Sequence, residues 1–224
     1  MNKAKAILAS YVGVLVYAGL VFLGAGKFAY WQGVLYVVLA MIGTTVSHVL
    51  TPAGSDITAN RAKEVAAGQA WDKRLLAASF FINIGTFVVA GMDSGRYGWS
   101  GRVPVAVTVA GAILMLAGQA LFALAKRENA FFSSTVRIQT ERGHRLCDTG
   151  PYRFVRHPGY LGMLLALLAF PLVMDSYWAL GPAVLAAVVL VVRTALEDRF
   201  LMGNLPGYPA YAARTRWRLI PGVF

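Results

Sequence analysis

Six stretches of this chain are apolar over lengths near that of a bilayer crossing, and this limits its fold more than any other feature. They cover residues 7–25, 31–50, about 75–92, 104–125, 158–173 and about 178–196. Roughly 20 apolar residues span the hydrocarbon layer as a helix. Backbone groups there have no water to bond, so each stretch must satisfy its own amides and carbonyls as a helix. Only 14% of the residues are charged, with 58% hydrophobic and a mean hydropathy of +0.59, against roughly 25% charged in soluble domains. A soluble helical protein with a large core is excluded by the length of the runs. The expected fold is all-α: a polytopic membrane helix bundle of about six segments.

The charges order these segments. The formal net charge is +11. In a soluble chain that excess would point to nucleic acid; here the positive-inside bias of membrane proteins accounts for it. With the N-terminus inside, one face collects Lys3, Lys5, Arg61, Lys63, Lys73, Arg74, the basic residues from Lys126 to Arg156, and those from Arg193 onward. The other face keeps only Lys27, Arg96 and Arg102. Six crossings with both termini cytoplasmic follow, as in a bacterial inner membrane. The first apolar run is too long for a typical signal-peptide core and reads as a membrane helix. The single cysteine, Cys147, excludes an internal disulfide.

The connections carry their own signals. Ser55 or Asp56 is placed to cap an interfacial helix near 56–68, with Gly68 at its end. Trp71-Asp72-Lys73-Arg74 reads as an interface anchor. Residues 93–102 read as a turn-rich loop, and Asp175-Ser176 as a tight turn. Residues 199–217 are amphipathic and aromatic, broken at Pro206-Gly207, which predicts a C-terminal interfacial helix. Two regions result: residues 1–126 with four spans, and 127–224 with a polar loop and two further spans.

The chemistry is concentrated in 139–162, a long polar run that holds two of the three histidines and the only cysteine. Pro158 suits the first turn of a helix, because it lacks an amide hydrogen and has a preset φ. The helix entered there turns its free amides toward the polar loop, a setting that attracts anions. His157 and Tyr160 lie three residues apart and share a face. Arg193 and Glu197, four apart, share a face near the end of the last span. Ionisable groups in such positions face a cavity or each other. As ligand contacts, Glu197 would take a cation and Arg193 an anion. Asp198 and Arg199 are expected to be solvated or interfacial. Tyr152, leaving the Gly150-Pro151 turn, anchors the loop or covers a flat ring. Cys147 lacks a nucleophile motif, His48 is expected to bond to a neighbouring helix, and the His and Cys spacings do not form a metal site. No strand pattern carries a glycine-rich phosphate loop, so a nucleotide-like cofactor would be held outside a Rossmann fold.

In order, Gly150-Pro151-Tyr152, Arg156-His157-Pro158-x-Tyr160-x-Gly162, the acidic pair Glu197-Asp198, then Leu201, Tyr208, Tyr211 and Ile220-Pro221 resemble one family. It is the integral-membrane methyltransferases that include isoprenylcysteine carboxyl methyltransferases and phospholipid N-methyltransferases. The resemblance covers roughly 127–224; Asp198 stands where many relatives have a second Glu. It implies a S-adenosylmethionine (SAM) pocket between the polar loop and the last two helices. The implied cofactor contacts are Gln139, the segment His144, Arg145, Leu146 and Cys147, then Tyr152, His157, Pro158, Gly159, Tyr160 and Glu197. Arg193 is the implied contact for an acceptor carboxylate, and the implied catalytic residues are Arg193 and His157.

The residues fit that implication. SAM carries a carboxylate, an ammonium and an adenine, which the helix start at Pro158, Glu197, and Tyr152 or Tyr160 would suit. The expected function is methyl transfer to a lipophilic acceptor at the cytoplasmic face, releasing S-adenosylhomocysteine (SAH). Arg193 favours a carboxylate acceptor, which needs no general base. A phospholipid amine would need one, with His144 or His157 as candidates; a small thiol is a further alternative. Two other readings stand beside it: an NADPH-dependent reductase of the sterol-reductase kind, and a non-enzymatic membrane protein. The expected partners are the lipophilic acceptor and membrane lipids, not nucleic acid.

Overall fold

The computed structural model describes residues 3–51 and 68–224. The expected interfacial helix near 56–68 falls, Gly68 apart, outside the described residues. Those described contain helices and no strand. In order they are α1 (Lys3–Ala25), α2 (Trp31–Leu50), α3 (Ala70–Ala90), α4 (Val105–Glu128), α5 (Pro158–Val173), α6 (Leu180–Asn204) and α7 (Tyr208–Arg214). Five helical stretches are long and apolar enough to cross a membrane, and α5 is a shorter apolar helix of 16 residues. At 1.5 Å per residue α5 reaches only about 24 Å. The all-α membrane bundle read from the apolar runs is therefore the fold.

Small residues let the helices pack closely. In a bilayer, helices gain little from burying oil against oil, so association depends on fit. Gly118 of α4 and Gly162 of α5 face each other's backbones: a Cβ on Gly118 would stand 2.6 Å from the Gly162 carbonyl oxygen and 2.8 Å from the Ala166 amide. Gly24 of α1 meets the backbone of α3 at Val88, and that of Met92 just beyond it, in the same way. Phe87 and Phe170 meet at a tilt, 4.2 Å between ring centroids, and Tyr36 meets Phe170 edge-on at 5.2 Å.

Three boundaries differ from the sequence reading. Where a loop was expected from residue 93, a π-helical turn over Gly91–Tyr97 prolongs α3 and ends at Gly98, with φ of 67°. Asp93 there is fully buried. Its carboxylate accepts hydrogen bonds from the Ser100 amide and hydroxyl and the Ser176 hydroxyl, at 2.8, 2.5 and 2.6 Å. A loop signal in the sequence is thus overridden by tertiary bonds. The expected Asp175-Ser176 turn is present, with Asp175 at φ 52° and held by Gln32 and Thr108.

The second difference matters for the site. α6 does not stop near Leu196 but continues to Asn204. Glu197 and Asp198 are therefore helical residues on adjacent faces. Similarly, α3 starts at Ala70, which puts Asp72 in its first turn.

The close α4–α5 contact is testable. Gly118→Val should lower the melting temperature of the detergent-solubilised protein, since overpacking against backbone costs about 1–3 kcal/mol. Gly19→Ala, at a position with nothing within 4 Å, should leave it unchanged. Equal melting of the two variants would refute the packing argument.

Candidate active site

The polar run folds over the ends of α5 and α6. Between them lies a cleft enclosing about 770 Å³ of atom-free space, open solvent at its mouth included. One wall is the segment after α4, with Phe132, Thr135, Val136 and Arg137. A second is the His144–Cys147 segment, and the floor and far side come from His157, Gly159, Tyr160, Glu197 and Tyr208. Gly159 must lack a side chain here, because a Cβ would stand 2.8 Å from the Phe132 ring.

Asp198 holds this end of the molecule together. The expectation of a solvated Asp198 is corrected: it is 3% exposed. Arg156 grips it with two bonds, Nε to Oδ1 at 2.7 Å and Nη2 to Oδ2 at 3.0 Å. Arg218 Nε donates to Oδ2 at 2.9 Å and the Tyr208 hydroxyl to Oδ1 at 2.8 Å. His157 Nε2 lies 3.3 Å from Oδ1. The third Arg156 nitrogen caps the carbonyls of Ala212, Thr215 and Arg216 at 3.1–3.3 Å. The backbone amides of Arg156 and His157 donate to the Trp217 and Arg218 carbonyls, both at 2.9 Å. One carboxylate thus joins the His157-Pro158 junction, α6, α7 and the C-terminal tail. Burial and the Asp198 charge push the Tyr208 hydroxyl well above its ordinary pKa, so it remains a donor.

The loop is braced by a second set of bonds. Gln139 is fully buried. Its Nε2 donates to the Phe131 carbonyl at 2.6 Å and its Oε1 accepts from Arg142 at 2.7 Å. Its side chain is consumed by the loop and does not line the cleft. The His144 ring stacks on Phe131 at 4.7 Å, and its Nδ1 accepts the Gln139 amide at 3.2 Å. Burial and the nearby Arg137 and Arg142 charges hold His144 below the usual histidine range. A neutral ring with a bare Nδ1 is what that amide requires. Tyr152 is buried, its hydroxyl 3.4 Å from the Ala125 carbonyl. It both anchors the loop and faces the cleft. Burial raises the Cys147 thiol above its ordinary pKa, which disfavours the thiolate a nucleophile needs.

The cleft lining mixes polar and apolar side chains. Glu197 is the one acidic side chain among its described lining residues, and it accepts a hydrogen bond from the Tyr160 hydroxyl. Arg137, which the sequence reading passed over, also lines it. One end of Arg137 pairs with Glu141 at 2.5 Å, while its buried Nε has no hydrogen-bond partner. The signal was a basic residue just before the polar run, indistinguishable in sequence from a positive-inside charge. Arg145 lines the cleft from an exposed position, and Leu146 contributes apolar surface. Pro158 begins α5 and is buried outside the lining.

Arg193 lies behind Tyr160 and not in the cleft lining. Its Cζ stands 5.0 Å from the Tyr160 ring centroid. Arg193 and Glu197 do not bridge one another. Arg193 pairs instead with the fully buried Asp72, Nε to Oδ1 at 2.6 Å. His48, far along α2, meets the Tyr11 ring at 6.0 Å between centroids. Among the described residues no group of three or more His, Cys, Asp or Glu converges as a metal site.

Two outcomes follow from this geometry. Asp198→Ala leaves the buried Arg156 and the partly exposed Arg218 without their counter-charge, so it should destabilise the detergent-solubilised protein by about 3–5 kcal/mol. Thermal unfolding checks this, and a loss below about 1 kcal/mol would overturn the central role of Asp198. For His144, a folded-state pKa below the usual value means that the opened loop binds more protons. Loop closure is then favoured above about pH 6.5 and lost as the pH falls below it. Hydrogen exchange at the amides of 139–147, corrected for intrinsic rates, should rise on going from pH 7.5 to 5.5. A flat profile would count against it.

With this geometry in view, comparison with known proteins gives a consistent answer. Residues 105–203 match the sequence model of the isoprenylcysteine carboxyl methyltransferase (ICMT) family. The chain is 30% identical over 135 residues to the cobalt-zinc-cadmium resistance protein CzcN of Cupriavidus metallidurans, 58% of this chain and 57% of the relative. It is also 30% identical over 103 residues to a probable protein-S-isoprenylcysteine O-methyltransferase of Oryza sativa, 45% of this chain and 48% of the relative. The chain thus spans about half the length of the curated relatives it matches. The match runs from α4 through nearly all of α6 and so includes His144, Tyr152, His157, Tyr160, Arg193 and Glu197. Residues 105–203 of this chain are therefore similar to the isoprenylcysteine carboxyl methyltransferase family.

Proposed function

We propose that this protein is a SAM-dependent methyltransferase acting on a lipophilic acceptor, a carboxylate in the first place, at the cytoplasmic face of a bacterial inner membrane. The observation that supports it most is a pair of charged groups in the cleft lining: Glu197, its one acidic side chain, and Arg137, whose buried Nε has no hydrogen-bond partner. A buried charged donor left without a partner costs free energy that a ligand acceptor would recover. An amino-acid end with its ammonium and carboxylate, attached to a flat ring, fits that set. In this reading Glu197 holds the ammonium, Arg137 the carboxylate, and the Tyr152 and Phe132 side of the cleft the ring. His144 to Cys147 close over it, and His157 and Gly159 form its floor. Gln139 and Pro158 support the loop and the helix start.

When bound, SAM would supply an electrophilic methyl group on a sulfonium. The chain's residues orient and exclude water. Tyr160 stands between the cleft and Arg193, and Arg193 holds the acceptor from the membrane side. A carboxylate acceptor is already nucleophilic, so alignment and desolvation suffice. The family match and the isoprenylcysteine acceptor in the rice relative's name support this acceptor class. The charge asymmetry of the segments supports both termini at the cytoplasmic face.

Calorimetry with SAH on the solubilised protein tests the proposal. Binding should be present in the wild type. It should weaken about 10–100-fold in Glu197→Gln or Arg137→Ala, the range for a lost charged hydrogen bond, and also fall in His157→Ala. Wild-type protein that ignores SAH but binds NADPH would replace this reading with the reductase one.

A further inference from the structure

Arg193 is held from a part of the chain that the family match does not include. Asp72 lies in the first turn of α3, fully buried. Its Oδ1 takes Arg193 Nε at 2.6 Å, and its Oδ2 takes Nη2 at 3.3 Å. The Ser134 carbonyl accepts a second bond from Nη2 at 3.0 Å. Asp72 Oδ2 also accepts the Val136 amide at 2.9 Å. The same carboxylate therefore fixes α6 through Arg193 and the cleft wall through Val136. One edge of the guanidinium is fully used; none of the Arg193 hydrogen bonds among the described residues involves Nη1.

This has a chemical consequence under the methyltransferase reading, on which it rests. Methylating a carboxylate forms an O–CH₃ bond and breaks the S–CH₃ bond, whose electron pair returns to sulfur. No proton moves. The acceptor's negative charge and the sulfonium's positive charge both vanish along the reaction. A lone buried cation beside the acceptor would stabilise the full carboxylate more than the transition state, in which that charge is already spreading. Tighter ground-state binding of that kind lowers KM and also lowers kcat. A neutral Arg193–Asp72 pair that offers Nη1 alone recognises the oxygen without that penalty.

We propose that Asp72 is a positioning residue for the acceptor end of the site: it cancels the charge of Arg193 and spends one edge of its guanidinium. The acceptor end is thereby built jointly by α3 and α6, and residues 105–203 do not complete it.

The test uses the full chain in detergent, with Asp72→Asn and Asp72→Glu. SAH affinity reports the cofactor cleft. N-acetyl-S-farnesylcysteine and its methyl ester, titrated into the SAH-loaded protein, report the charge at the acceptor end. Asp72→Asn should keep SAH affinity within about threefold and raise the acid-over-ester preference by about tenfold, as an uncompensated buried cation draws an anion. Turnover of the acid should show KM and kcat falling together, and Asp72→Glu should return both toward wild type. An unchanged preference in an Asp72→Asn protein that still binds SAH overturns the proposal. So does an equal loss of acid, ester and SAH binding, which would mark a purely structural role. Should Asp72→Asn not fold, the doubly neutral Asp72→Asn/Arg193→Gln variant replaces it. That variant should bind SAH and lose the acid preference; a wild-type preference there also overturns the proposal. A wild-type protein without SAH affinity would instead refute the methyltransferase reading, and this inference with it.

Discussion

The cleft end of this bundle depends on a buried carboxylate at Asp198. Two arginines, a tyrosine hydroxyl and a histidine converge on it. A charge taken out of water is tolerated only when its neighbours replace most of what water supplied. Here they do so from three separate parts of the chain. The result is a rigid junction that fixes where α5 starts, how far α6 extends, and where α7 and the tail lie. His157 and Gly159 owe their places in the cleft to that junction.

The second buried pair, Arg193–Asp72, plays a different part. Asp198 organises residues from the C-terminal region. Asp72 reaches across from α3 and ties the N-terminal half to the wall of the cleft through Val136. Tyr160 lies between the two systems: its ring is parallel to His157 within 9° at 5.8 Å, Arg193 stands over it, and its hydroxyl bonds Glu197. A shift in any of these groups would be felt on both sides of the ring.

The opposite end of the bundle uses the same physics for a structural purpose. Asp93 and Asp175 are each satisfied by hydroxyls and amides of neighbouring loops and helices. Between the two ends, glycines and aromatic rings provide the fit that oil against oil does not. Polar groups thus fix the ends of the helices, and shape complementarity sets the distance between them.

The apolar runs determined that this chain is a helical membrane bundle, because a backbone in hydrocarbon has few ways to satisfy its polar groups. The ordered polar motif from Gly150 to Gly162, with Glu197 downstream, carried the family resemblance and marked one side of the cleft. What the sequence left undecided were partnerships. Asp198 and Asp72 read as interfacial charges, since a carboxylate after or before an apolar run looks the same whether it meets water or an arginine. Gln139 and Arg137 lie two residues apart in a loop, and only the fold turns one into a buried brace and the other toward the cleft. Helix ends were misplaced for the same reason: α6 continues past its charges because distant residues neutralise them. Local periodicity sets which segments are helices, whereas the energy of a buried charge depends on groups far away in sequence, and those meet only in the tertiary structure.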